Sequence, residues 1–190
     1  MPTRDSELDR IRESVAAQLV RRAGLRGAYE SADCELGRRL HRQAEAGVGA
    51  YLWGGCGTGK TYAAACAVRL CVEAGGKARL VTAKRLLDEV KDGYDGGERD
   101  AIRRYASLDL LALDDLGAER ATPWSIGELT DLVDERVAGG LPTIVTSNFR
   151  LGELRDIWGG VEGRRLASRI AGACGIVEVS GPDRRLGGTA

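Results

Sequence analysis

YLWGGCGTGKT, residues 51–61, is an apolar run that breaks into glycines and ends on Lys-Thr. The apolar part reaches back to Val48, and the segment from Gly54 to Thr61 has the spacing G-x-x-x-x-G-K-T. This is the P-loop pattern, and it lies between a strand-like run and a helix-like one, where its mechanism requires it. The glycines let backbone N–H groups turn inward around phosphate oxygens. A helix starting near Gly59 adds the positive end of its dipole. Lys60 is placed to reach β- and γ-phosphates, and Thr61 to offer its hydroxyl to Mg²⁺. The phosphate-binding set is therefore Gly54, Gly55, Cys56, Gly57, Thr58, Gly59, Lys60 and Thr61. A glycine-rich turn beside a chance lysine does not account for eight residues in that context.

Outward from this loop, the chain alternates strands and helices. Downstream come a helix from Lys60 to about Ala74, a strand at Ala78–Thr82 and a helix at Ala83–Asp92. Tyr94 then sits among Gly93, Gly96 and Gly97, and a short helix covers Glu98–Ala106. The stretch Leu108–Leu113, apolar apart from Asp109, is expected as a strand buried on both faces. Further on are a helix at Pro123–Ala138, a strand at Pro142–Ser147, helices at Leu151–Trp158 and Val161–Ala171, and a strand at Ile176–Val179. Upstream, a helix is expected over Asp33–Ala46. Residues 5–22 read as an amphipathic helix with Leu8, Ile11, Val15 and Leu19 on one face. That face either packs on its own domain or docks a partner. The pattern predicts an α/β fold, an αβα sandwich around a five-stranded parallel sheet. Residues 1–32 form an N-terminal helical segment, and 33–190 the P-loop domain.

Composition narrows the class. The 190 residues suit one domain. Lys+Arg and Asp+Glu are 28 each, so any nucleic-acid contact comes from a local patch. Neither a signal-peptide pattern nor a membrane-length apolar run is visible, and no membrane role is expected. Five scattered cysteines suit a reducing cytoplasm. With one histidine, His41, expected at the surface, neither a zinc site nor a His-based triad is expected.

In a parallel sheet of this kind, functional groups gather at the carboxyl ends of strands. One such end carries Asp114 and Asp115 after the apolar run. Asp114 would hold Mg²⁺ through water, and Asp115 would orient or deprotonate the attacking water. The next strand ends in Thr146-Ser147-Asn148, where a polar residue can meet a γ-phosphate or the lytic water. Beyond it, Arg165 and Arg169 are four apart and share a helix face. They are either solubilising charge or an anion-binding edge serving a neighbour's nucleotide.

YLWGGCGTGKT, LLALDDLGAE, TIVTSN and RRLASRI together resemble the AAA+ ATPases of the DnaC/IstB group. These are bacterial and phage helicase loaders and their transposase-assisting relatives. The resemblance spans roughly residues 35–187. It implies an ATPase using ATP and Mg²⁺, with Walker A at Gly54–Thr61 and Walker B at Asp114 with Asp115. It places sensor 1 on Asn148, an arginine finger on Arg169 and a sensor 2 arginine on Arg185, with Arg184 competing for that last role. Many AAA+ members have Asp-Glu in Walker B where this chain has Asp-Asp. Many also carry a helical lid after the last strand; none is expected here, as in the DnaC/IstB group. Head-to-tail self-association, single-stranded DNA and a replicative ring helicase are the implied partners. In related loaders the region of Lys84, Lys91 and Tyr94, with the helix start at Thr122 and Trp124, lines the single-strand path. The alternatives are a transposase helper of the IstB kind, which predicts duplex DNA and a transposase as partners, a P-loop small-molecule kinase, and a nucleotide-gated binding module with little turnover.

Overall fold

The computed structural model describes residues 4–95 and 100–184. Five strands form one sheet: β1 (Gly49–Trp53), β2 (Ala78–Thr82), β3 (Leu110–Asp114), β4 (Thr143–Ser147) and β5 (Cys174–Glu178). Their order is β2-β3-β4-β1-β5, and every pairing is parallel. The helices among the described residues are α1 (Arg4–Arg22), α2 (Glu35–Glu45), α3 (Lys60–Glu73), α4 (Ala83–Asp95), α5 (Asp100–Ala106), α6 (Pro123–Ala138), α7 (Leu151–Trp158) and α8 (Gly160–Ala173). A 3₁₀ turn at Gly27–Tyr29 links α1 to α2.

The sheet separates two cores because strand side chains alternate. Tyr51, Leu111, Leu113 and Val145 point to one face, where α4 to α8 pack. Ala50, Leu52, Leu110, Ala112 and Ile144 point to the other, under α2 and α3. Both central strands β3 and β4 are buried along their whole length, as the apolar runs predict. Helix α3 buries an unbroken run from Ala63 to Val68. Its small side chains allow a close approach by α2. A Cβ on Gly37 would come within 2.4 Å of the Cys66 Cβ, so only glycine fits there.

Several boundaries differ from the sequence expectation. Helix α4 continues through Gly93 to Asp95, so Tyr94 lies in its last turn, not in a loop; the Tyr94 side chain is outside the described residues. The buried stripe Ala83, Leu86, Leu87 and Val90 anchors the helix, and one interior glycine costs only about 1 kcal/mol. Strand β3 starts at Leu110, in register with Ala78. Strand β5 starts at Cys174, in register with Gly49. In α1, Val15 and Leu19 are 49% and 45% exposed, so they do not pack on this domain. The helix is anchored instead by Val20, Ala23 and Leu25, with the Leu80 N–H donating to the Ala23 carbonyl at 2.8 Å. The side chains of Leu8 and Ile11 lie outside the described residues. His41 is largely covered, with its side chain 16% exposed beside Glu45. No described helix is long and apolar enough to cross a membrane.

Arg136, on α6, is fully buried and was not legible in the sequence. Its Nη1 donates to the carbonyls of Tyr105, Ala106 and Leu108 at 2.9, 3.1 and 2.8 Å. Its Nη2 donates to the Pro142 carbonyl at 2.6 Å, and its Nε to the Thr143 hydroxyl at 2.8 Å. One guanidinium thus ties the end of α5 and the entries to β3 and β4 to α6. Burial lowers its pKa to about 10, so it stays charged at neutral pH. We expect Arg136→Met to lose about 3 kcal/mol or more, because several carbonyls lose their donor at once. Arg136→Lys should recover little, since an ammonium lacks the planar fork. A urea-unfolding free energy lowered by less than about 1 kcal/mol would show that water replaces the guanidinium.

Candidate nucleotide-binding site

The sheet order sets β3, β4 and β1 side by side. The loop after β1, the acids at the end of β3 and Asn148 after β4 therefore meet at one edge. They line a cavity of about 830 Å³.

Gly54, Gly57 and Gly59 have φ of 148°, 72° and 100°, a region side chains resist. At Gly54 a Cβ would also lie 2.2 Å from the Val179 carbonyl oxygen. Gly59 caps α3, so the uncompensated N–H groups of its first turn face the loop. Thr58 closes the loop by donating to the Gly55 carbonyl at 3.0 Å. Lys60 is 7% exposed and reaches across the mouth. Its Nζ donates to the Gly54 and Gly55 carbonyls at 2.8 and 2.7 Å and to Asn148 Oδ1 at 3.0 Å. Cys56 is exposed and lines the same cavity.

Thr61 Oγ1 donates to Asp114 Oδ1 at 2.9 Å, and Thr146 Oγ1 donates to the same oxygen at 2.6 Å. Burial pushes the Asp114 carboxyl up, while these two hydroxyls pull it down; Asp115 adds to the rise and Lys60 opposes it. With its proton committed to Asp114, Thr61 keeps its lone pairs for a cation. The described residues hold no cluster of three or more acidic, His or Cys side chains that could cage a metal. Mg²⁺ takes one or two protein ligands and completes its shell with phosphates and water, and Thr61 and Asp114 are the residues that could supply them. Asp115 is exposed, and Asn148 Nδ2 donates to its Oδ1 at 3.5 Å, a long contact. Asp115 is the non-glycine with positive φ among the described residues, at 57°, a conformation costing about 1 kcal/mol.

The far wall was missed in the sequence. Gly24, Arg26, Tyr29, Tyr62, Leu80 and Thr82 line it, and the Tyr29 and Tyr62 ring centroids are 6.4 Å apart. The available signal was the pair Gly24 and Gly27, which read only as a helix break. At Gly24 the φ is 87° and a Cβ would meet the Leu80 carbonyl oxygen at 2.2 Å. Arg184 also lines the cavity, and its N–H donates to the Gly57 carbonyl at 3.0 Å. Arg185 lies outside the described residues.

The remaining sequence candidates fall elsewhere. Arg169 does not line the nucleotide cavity; on α8 its Nε pairs with Asp134 Oδ1 at 2.8 Å. Arg165 takes the other oxygen at 3.1 Å, so the two arginines do share a face. Lys84, Lys91, Thr122 and Trp124 come together along a separate groove of about 750 Å³. Trp124 is 40% exposed there. Thr122 has a second task, accepting the Ser125 N–H at 3.1 Å as the cap of α6. Asp88 and Glu119 place carboxylates in the same groove.

A family model for IstB-like ATP binding proteins matches residues 43–188. An ATP-binding protein of an insertion sequence from Mycobacterium tuberculosis is 32% identical over 108 residues, which is 56% of this chain and 43% of that protein. The replicative helicase loader DnaI of Bacillus subtilis is 28% identical over 157 residues, 77% of this chain and 50% of the loader. The chain thus spans about half the length of the curated relatives it matches. A crystal structure of DnaI superposes with a TM-score of 0.70 at 24% identity, covering 88% of this chain and 93% of that one. The DnaC helicase loader gives 0.66 at 21%, covering 82% and 93%. The replication initiator DnaA bound to AMPPCP and single-stranded DNA gives 0.66 at 21%, covering 78% and 45%. At these identities the likeness is one of fold, and the family rests on the sequence match over most of the chain: the protein belongs to the IstB-like ATP binding proteins.

Proposed function

We propose that this protein is an ATPase of the helicase-loader type, which binds ATP·Mg²⁺, assembles head to tail and holds single-stranded DNA. The observation that carries the reading is the contact chain Lys60–Asn148–Asp115 across the cavity mouth. It joins the phosphate-binding cation, a polar sensor and an acid suited to orient water. Here Lys60 exchanges carbonyl and amide oxygens for phosphate oxygens. Mg²⁺, held by Thr61 and Asp114 with the nucleotide, would draw charge from the phosphates. Asp115 accepts a proton from the attacking water, and Asn148 keeps that water and the acid aligned. Arg184 supplies a cation beside Gly57 and Gly59, and we assign it the sensor 2 role. Residues 1–32 serve as a partner-docking arm, supported by the exposed Val15 and Leu19.

A second reading has its own support. The insertion-sequence relative favours a helper that acts on duplex DNA beside a transposase. The two part at the groove of Lys84, Lys91 and Trp124. Its one exposed indole suits stacking on unpaired bases, which a duplex does not offer. Trp124→Ala should weaken binding to an oligothymidine by about 1–3 kcal/mol and leave duplex affinity unchanged. Equal loss on both, or duplex preference in the unaltered protein, would favour the transposase-helper reading.

Lys60→Ala should lose ATP binding with the fold retained. Asp115→Asn should bind ATP and lose hydrolysis. Filter binding beside phosphate release separates the two, and loss of binding by Asp115→Asn would make that acid structural.

Arg169 lies off the cavity of its own chain, so we assign it to the ATP of the next subunit. An arginine given in trans is worth ~10³ to 10⁵ in rate in GTPase systems. Turnover should then rise faster than linearly with protein concentration. Arg169→Ala should bind ATP, be nearly inactive alone, and regain activity when mixed with Lys60→Ala, which still presents its own arginine. No rescue in a mixture shown to co-assemble would overturn this assignment.

A further inference from the structure

We propose that Thr146 is a positioning residue for hydrolysis, whose single hydroxyl sets both acids of the site. Its Oγ1 donates to Asp114 Oδ1 at 2.6 Å and accepts the Asp115 N–H at 3.0 Å. The inference rests on the roles given above to Asp114 and Asp115. Thr146 itself is 1% exposed and cannot reach solvent in their place.

The two acids depend on it to different degrees. Asp114 keeps the Thr61 hydroxyl if Thr146 is lost. The Asp115 N–H loses its acceptor, and the bond left to its backbone, from the Ala118 N–H to its carbonyl at 3.2 Å, lies within the turn itself. Leu116, the next residue, is held twice by β4: its N–H reaches the Thr146 carbonyl at 2.8 Å, and its carbonyl accepts the Ser147 hydroxyl at 2.6 Å. The turn is therefore pinned at Asp114 and at Leu116, and the left-handed residue between them is pinned by the Thr146 side chain. Removing that hydroxyl frees Asp115 without undoing the register of β3 on β4, which is set lower down by Leu111, Ala112 and Leu113.

The other buried hydroxyls nearby are spent differently. Thr130 donates to the Ile126 carbonyl inside α6, and Ser147 to the Leu116 carbonyl. Thr146 instead gives its proton to the carboxylate assigned to Mg²⁺ and takes one from the residue assigned to the water. It places the cation's anchor and the base in a fixed relation, which a rigid β4 can impose and a mobile loop cannot.

The decisive experiment compares Thr146→Val, which keeps the shape and removes the hydroxyl, with Thr146→Ser, which restores it. ATP affinity in EDTA should be unchanged in both. In Thr146→Val, the Mg²⁺ concentration that half-maximally raises the melting temperature of the ATP complex should increase about tenfold or more. Turnover should fall about 10²-fold as Asp115 loses its aim. Thr146→Ser should regain most of both. Wild-type values in Thr146→Val, or equal defects in Thr146→Ser, would overturn the proposal. Should Thr146→Val fail to fold, hydrogen exchange in the unaltered protein decides: the Asp115 amide should be protected although its residue is exposed, and exchange at the rate of an unstructured peptide would overturn the proposal. Asp115→Asn is run alongside. Normal turnover there would sink the assignment of the base, while the Mg²⁺ and exchange readouts would still judge Thr146.

Discussion

Parallel pairing of β1 and β3 on the two sides of β4 is the constraint on which the site depends. Alone, each strand end carries a few polar residues. Held in the register Ala112↔Ile144↔Ala50 and Leu113↔Val145↔Tyr51, the three ends reach one level. The P-loop, the two acids and Asn148 then face one another. Burial on both faces fixes that register, because a slip by one residue would exchange the two cores. Both ends of β4 are then locked by side chains. Arg136 binds Pro142 and Thr143 at its start, while Thr146 and Ser147 grip the turn of β3 at its finish.

Charge in the site is arranged to be exchanged. Lys60 is nearly buried, and its Nζ donates to two neutral carbonyls and a neutral amide. Such a cation is stabilised by dipoles and gains further when an anion displaces them, since low dielectric strengthens the new attraction. Asp114 is in the converse position. Burial raises its carboxyl, and two hydroxyl donors hold its charged form. A divalent cation beside it would remove the remaining cost. An anionic nucleotide and a cation would thus suit the same charge pattern from opposite sides, and binding of one would favour the other.

The sequence was most informative where chemistry and spacing coincide within a few residues. The glycines of the P-loop, the acids after an apolar run and the α6 bounds Pro123–Ala138 all have local causes, and all lie where expected. What was not legible depends on contacts far apart in the chain. Arg136 reads as one more surface arginine until the fold brings carbonyls to it from residues 105 to 142 and a hydroxyl from Thr143. Thr146 reads as one of three polar residues at a strand end until β3 places a carboxylate beside its hydroxyl. Gly24 reads as a break because its reason is the Leu80 carbonyl on another element. For the sensor 2 role the resemblance pointed to Arg185 with Arg184 in competition; the Arg184 N–H is bonded to the Gly57 carbonyl, and Arg185 lies outside the described residues.

The segment from Asp115 to Thr122 carries the argument from nucleotide to partner. Its first residue faces Asn148, and its last caps α6 at the groove assigned to single-stranded DNA. Between them, Leu116 is fixed to β4, and the Gly117 N–H donates to Glu119 Oε2 at 2.7 Å. Glu119 Oε1 accepts from the Trp158 indole, and Glu119 itself lines the groove with Arg120. No part of this short path is a free loop, so a shift of Asp115 toward a γ-phosphate must be taken up either by Leu116, which is buried and doubly bonded, or by the residues beyond it. The second is cheaper, because Ala118, Arg120 and Ala121 are exposed and carry no core contacts. Strain made at a phosphate would thereby pass toward the groove, not into the sheet. Rigid β4 would serve the proposed hydrolysis and such a coupling alike: it holds the acid in place, and would leave the groove as the side that yields.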